Sequence, residues 1–212
     1  MSDILSRYAE LPVADAIAPL RRTLADGPNA VLAAPPGAGK TTLVPLVLAA
    51  EPWLSGKIIL VEPRRLAARA AARRMAAMLG EKPGETVGYL TRLDSKRSAR
   101  TRITVLTEAI FVNRIVADPE LSGVSAVLFD EAHERHLDSD FGLALALETQ
   151  AVLREDLRLL VMSATLDGER FASLMDRCAV IESEGRSHPL RIAWLGSSGA
   201  TVTARSPKPL AG

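Results

Sequence analysis

Between Ala126 and Asp140 the chain reads AVLFDEAHERHLDSD, an apolar run that empties into five acids and two histidines. Clustered carboxylates repel one another, and an unpaired one removed from water is costly or takes up a proton. A positive partner is therefore expected beside them, whether a metal ion, a cationic group or solvent. Zinc is a poor fit. Zinc proteases place two histidines at i and i+4 in H-E-x-x-H, whereas His133 and His136 are three apart. The remaining His188 stands before Pro189 far down the chain, and Cys178 is the only cysteine.

A second stretch, APPGAGKTT from Ala34 to Thr42, offers different chemistry. It follows a buried-strand pattern and opens a helical one, the context in which a glycine-rich turn points backbone N–H groups at phosphate oxygens. In this reading Gly37 and Gly39 supply the unusual turn angles. Lys40 reaches the β and γ phosphates of ATP, and the Thr41 hydroxyl ligates Mg2+. The first glycine of G-x-x-x-x-G-K-[ST] is replaced by Ala34, which costs little where φ stays negative. A second strand of such proteins ends in an aspartate that holds Mg2+, and AVLFD ends at Asp130. Glu131 then orients and deprotonates the attacking water.

These groups need a frame. Apolar runs (NAVLAA, KIILVE, RITVLT, AVLFD, LRLLVMSAT, CAVIES, LRIAWL) alternate with helical stretches, the pattern of an α/β domain with a mainly parallel sheet. Helices are expected over VADAIAPLRRTLADG, from Thr41, over RRLAARAAARRMAAML to Gly80, over FGLALALETQAVL and over GERFASLM. RLDSKRSARTR is expected as a loop. Of 212 residues 48% are hydrophobic and only 4% aromatic, so Ala, Val, Leu and Ile must build the core. One cysteine, no secretory pattern and no apolar run of membrane-spanning length make the cytoplasm the expected compartment.

Net charge is +1 but unevenly spread: residues 57–114 hold 13 Lys+Arg against 5 Asp+Glu. Arg65, Arg69 and Arg73 fall at i, i+4 and i+8, a basic stripe suited to a polyanion. Phosphate contacts of this kind give affinity without sequence reading, and the shortage of aromatics argues against a base-stacking platform.

The segments GAGKTT, VEPRRLAARAAARR, LTEA, DEAH and SAT occur in the order and approximate spacing of the DEAH-box helicases of superfamily two. The chain resembles that family from about Leu11 to about Leu195, in wording most like its bacterial HrpB-type members. The resemblance implies a RecA-like P-loop NTPase domain over 14–195, after a lead-in at 1–13 and before a tail at 196–212 that is not expected to fold alone. It implies a mostly parallel central sheet with helices on both faces. Gly37, Ala38, Gly39, Lys40, Thr41 and Thr42 would form the nucleotide loop, Arg74 would stack on the adenine, and Asp130 and Glu131 would be the magnesium and catalytic acids. His133, Ser163 and Thr165 would couple nucleotide state to movement. Arg64, Arg65 and Thr107 would touch the backbone of single-stranded RNA or DNA.

Helicases of this type need a second RecA-like domain, and nothing resembling it is present in the sequence, so a truncated chain is expected. The competing function is a nucleotide-dependent nucleic-acid-binding module without productive turnover. A transporter-type ATPase, prompted by LSGVS at Leu121 to Ser125, lacks the second glycine and the glutamine of its signature. A small-molecule kinase would leave DEAH and SAT without a role.

Overall fold

The computed structural model describes residues 4–164 and 168–183. In chain order the elements are α1 (Ile4–Arg7), α2 (Ala14–Asp26), β1 (Asn29–Ala33), α3 (Lys40–Leu48), β2 (Lys57–Glu62), α4 (Arg65–Leu79), β3 (Val87–Thr91) and β4 (Asp94–Lys96). They continue with β5 (Ile103–Thr107), α5 (Glu108–Ala117), β6 (Val124–Phe129), a 3-10 turn (Ala132–Glu134), α6 (Leu137–Val152), β7 (Arg158–Ser163), α7 (Gly168–Leu174) and β8 (Ala179–Glu182). The expected strand LRIAWL, the tail, His188 and Thr165 lie outside the described residues. None of the helices is long and apolar enough to cross a membrane among those described.

The strands form one sheet in the order β4-β3-β5-β2-β6-β7-β1-β8, parallel throughout except for the β3–β4 pair. Successive residues of a strand face opposite sides. Leu32, Ile58, Leu60 and Leu128 therefore join α2, α3 and α4 in one core, while Val31, Ile59, Val61 and Val127 join α5, α6 and α7 in the other. This two-sided burial is why the strands read as unbroken apolar runs rather than alternating ones. Phe111 of α5 meets Phe129 of β6 edge to face, with ring centroids 5.4 Å apart. α4 buries Ala68, Ala71, Ala72 and Ala76, small enough to seat the helix close on the sheet, and ends at Gly80 with φ 74°.

Two expectations need correction. RLDSKRSARTR is not simply a loop, because Asp94–Lys96 turns back as an antiparallel edge strand on β3. The polar sequence hides this strand, and its turn is held by Tyr89 Oη donating to Asp94 Oδ2 at 2.7 Å and by Thr91 Oγ1 donating to the Asp94 carbonyl at 2.9 Å. The basic stripe on α4 is also broken. Arg69 pairs with Asp94 at 3.1 Å and lies over the Tyr89 ring, so this arginine fastens the hairpin while Arg65 and Arg73 stay exposed. α5 was not foreseen at all.

The order β6-β7-β1 positions the site. Ala33 of β1 is level with Ser163 of β7, and Val161 of β7 with Phe129 of β6. The turn after β1, the end of β7 and the acids after β6 thus emerge side by side at the carboxyl edge of the sheet, where open α/β sheets bind ligands.

Candidate nucleotide and nucleic-acid site

The turn after β1 reaches α3 through two glycines in the left-handed region, Gly37 at φ 78° and Gly39 at φ 94°. Gly39 is also the residue before the helix, and it offers no side chain to cap the first N–H groups of α3. The Thr42 N–H turns back to the Gly39 carbonyl at 3.1 Å, and the helix dipole at this end favours an anion. The lead-in packs onto this turn. The Val13 N–H donates to the Ala38 carbonyl at 3.1 Å, and a side chain at Gly39 would meet Leu11 at 2.9 Å.

Lys40 is 3% exposed, and a buried ammonium requires a partner. Its Nζ donates to Glu131 Oε1 at 2.8 Å. Glu131 holds φ 50°, a left-handed conformation uncommon for a residue with a long side chain and costing of order 1–3 kcal/mol. Two more acids of the opening motif have arginine partners. Glu134 pairs with Arg64, and Arg135 grips Asp140 through Nε and a terminal nitrogen at 3.0 and 2.9 Å. Asp138 and Asp140 sit in the first turn of α6, where carboxylates suit the helix dipole.

Asp130 is different. Its Oδ1 accepts the Glu131 backbone N–H at 2.9 Å, while Oδ2 is buried with no hydrogen-bond partner. Burial raises its carboxyl to about 6, against the Thr41 hydroxyl and the Lys40 ammonium, which favour the ionised form. An orphaned buried carboxylate oxygen beside a threonine hydroxyl is a hard donor set that fits a magnesium ion. No group of three or more His, Cys, Asp or Glu able to hold a metal occurs among the described residues. Magnesium commonly takes only one or two protein ligands and completes its shell with water and phosphate.

His133 Nδ1 accepts the Ala164 backbone N–H at 3.2 Å, so the DEAH histidine touches the SAT segment after β7. That nitrogen has no proton to give Glu131 Oε2, 3.4 Å away, and the contact is not an ion pair. Ser163 is fully buried at the end of β7, and its carbonyl accepts the Ala34 N–H at 3.0 Å.

Two clefts open here. One, of about 550 Å³, is lined by Thr41, Thr42, Glu62, Arg64, Arg74, Glu131 and His133. The other, of about 560 Å³, is lined by Arg65, Arg92, Thr107, Glu108, Asn113 and Asp138. The three residues expected on nucleic acid are therefore divided: Arg65 and Thr107 face the second cleft, and Arg64 faces the first. Arg74 lies with the phosphate-loop residues.

Sequence reasoning passed over Glu62. It is the last residue of β2, buried in the first cleft, and its carboxyl is pushed up to about 8 by burial and then by the nearby Asp130, with Glu131 and Glu134 adding to it and the Arg64 backbone N–H opposing. The signal was available. KIILVE ends in an acid, as AVLFD does.

Sheet order, glycine turn and paired acids define the class: an α/β domain of the RecA-like kind. The chain matches the DEAD/DEAH box helicase family over residues 14–174 and belongs to it. It is 50% identical over 187 residues to the ATP-dependent RNA helicase HrpB of Escherichia coli, an alignment covering 88% of this chain and 23% of that protein. It is 40% identical over 168 residues to the pre-mRNA-splicing factor ATP-dependent RNA helicase prp22 of Schizosaccharomyces pombe, covering 77% and 14%. The crystal structure of the E. coli DEAH/RHA helicase HrpB superposes with a TM-score of 0.81 at 51% identity, covering 85% of this chain and 23% of that one. The chain thus spans less than a quarter of the length of these relatives.

Proposed function

We propose that this chain is the ATP-binding half of a nucleic-acid motor, which binds ATP at the first cleft, hydrolyses it and grips single-stranded RNA or DNA at the second. A second RecA-like domain would complete the motor. The observation that carries the reading is the pair Lys40–Glu131, set at the uncapped start of α3 beside the orphaned Asp130 oxygen.

The Glu131 carboxylate stands where an anion balances the buried lysine. Phosphates of ATP entering the turn take over that place, accept backbone N–H groups at the start of α3, and release Glu131. Freed, Glu131 can accept a proton from water in line with the γ-phosphate. Thr41 and Asp130 would hold Mg2+, whose chemistry when bound is to neutralise phosphate charge. Arg74 would cover the adenine. His133, on the backbone of Ala164, would report phosphate occupancy to Ser163 and Thr165. Arg65 and Thr107 would hold the phosphate backbone of the strand in the second cleft, while Arg64, expected there too, lines the nucleotide cleft instead.

The alternative is a nucleotide-dependent binding module that does not turn over ATP. It is favoured by Glu131 being engaged by Lys40 rather than free to act as a base. Measuring ATP affinity and phosphate release with and without single-stranded RNA separates the two: binding without release supports the module, and RNA-stimulated release supports the motor. Absence of ATP binding would defeat both.

A further inference from the structure

The roles above leave His136 without one. It precedes α6, yet makes no side-chain capping bond to that helix, so local helix chemistry does not explain it. Its Nδ1 lies 3.3 Å from Glu108 Oε2, and its Nε2 lies 3.4 Å from Glu134 Oε2. The ring is half exposed, whereas both carboxylates are largely covered. The imidazole thus bridges two acids that come from separate elements.

Each acid belongs to a different cleft. Glu134 pairs with Arg64, which lines the first cleft together with it. Glu108 opens α5 directly after Thr107 and lines the second cleft with Arg65. The path Arg64–Glu134–His136–Glu108 therefore runs from one cleft to the other through polar side chains in contact. It is also tied to Glu131, because the Glu134 N–H donates to the Glu131 carbonyl at 2.9 Å within the 3-10 turn.

We propose that His136 is a positioning residue that couples the two clefts, holding Glu108 in the state that nucleotide sets through the Glu131–Glu134 turn. When phosphate displaces Glu131 from Lys40, the strained turn is free to relax and Glu134 moves with it. His136 carries that movement to Glu108. Glu108 matters because a carboxylate at the mouth of a cleft for a polyanion repels it, by an amount that the position of the carboxylate sets. Coupling of this kind requires an element with two arrangements that both ligands bias, and here that element is the turn from Glu131 to His136. The inference rests on the reading of the clefts as nucleotide and nucleic-acid sites.

The test measures binding of a fluorescein-labelled single-stranded oligouridylate to the 212-residue chain, with and without a saturating non-hydrolysable ATP analogue and Mg2+. In the parent chain the two affinities differ by about 5-fold or more, the lower end of ordinary coupling. In His136→Ala the ratio falls to about 1, while analogue affinity without RNA stays within about 2-fold, a split that mere loss of packing would not produce. Glu108→Gln, which removes the charge at the other end of that bridge, also brings the ratio to about 1, and the double variant loses nothing further. A parent ratio of 1, or a ratio that persists in His136→Ala, overturns the role of His136 and leaves the clefts' assignment standing. Failure of the parent to bind either probe overturns that assignment and the coupling with it.

Discussion

The Lys40 ammonium donates to Glu131 Oε1 across 91 positions of sequence, at 2.8 Å, and satisfies a charge that is otherwise buried. A nucleotide bound as proposed competes with that carboxylate. Lys40→Ala removes the cation on the phosphates and is expected to weaken ATP binding by roughly 10- to 100-fold, the weight of one hydrogen bond to a charged group. Glu131→Gln frees Lys40 of its counter-ion and is expected to bind ATP at least as tightly as the parent. It should lose about 10²–10⁴ in turnover, because an amide cannot take the proton. Titration with a fluorescent ATP analogue, together with phosphate release, checks both. Equal loss of affinity in the two variants would refute this division of roles.

Glu62 makes a pH prediction. Its carboxyl is raised from the usual 4.5 to about 8, so between those values the folded chain binds a proton that the unfolded chain has released. Stability contributed by the neutral acid is present below about 4.5 and is lost as pH rises through about 8. Asp130 acts in the same direction over the lower interval, from 3.8 to about 6. Thermal melting of the ligand-free chain should therefore decline from pH 6 to pH 8.5. Glu62→Gln should flatten that decline and melt higher at pH 8.5, by roughly 2–4 °C for each kcal/mol recovered in a chain of this size. Parallel pH profiles for the two proteins would show that Glu62 is already ionised.

The basic segment predicts salt dependence. Lys96 and Arg97 are exposed on and after β4, and Arg65 and Arg92 line the second cleft. Affinity for single-stranded RNA should fall steeply with salt and vary little with sequence. Reversing Lys96 and Arg97 to glutamate should lower the salt slope by roughly 1.4, two contacts at about 0.7 each. Arg65→Ala should weaken binding more than Arg73→Ala, since Arg65 faces the cleft. Fluorescence anisotropy at four or five salt concentrations measures this, and a flat salt response would mean that these cations only meet water.

What could be read from sequence follows from what is local. The strand–turn–helix around Gly39 and the acid-ended strand before Glu131 are contiguous, so residue type and order were enough. The two-sided sheet was legible because its strands are apolar on both faces. β4 was not, because DSK carries no apolar alternation and is fixed by Tyr89 and Arg69 rather than by its own pattern. Helical spacing placed Arg69 in a basic stripe, but only the fold brings Asp94 to it. Arg64 and Arg65 are neighbours in sequence yet face different clefts, since one precedes α4 and the other opens it. The need for positive partners at the acidic motif is legible in the sequence, but Lys40 and Arg64, which supply them, lie far from it along the chain.

The last prediction concerns this chain by itself: it should bind ATP with Mg2+, hydrolyse it slowly and leave a duplex intact. Strand separation requires two bodies that close and open on each cycle, so that a grip on one strand becomes movement along it. A single RecA-like domain can rearrange its own turns, as proposed for the segment from Glu131 to His136, but has nothing to pull against. Hydrolysis is limited for a separate reason. Charge developing on the γ-phosphoryl group is normally stabilised by an arginine from outside the phosphate loop, worth about 10³–10⁵ in rate or roughly 4–7 kcal/mol. Two arginines line the first cleft among the described residues: Arg64 is committed to Glu134, and Arg74 is assigned to the adenine. Lys40 and the start of α3 remain, so ground-state binding is retained while turnover is not. ATP affinity, phosphate release with and without RNA, and separation of a labelled duplex, all measured on the 212 residues, test this together. Duplex unwinding by the monomer, with RNA-stimulated turnover, would show that one domain suffices and that an arginine within it already serves the γ-phosphate.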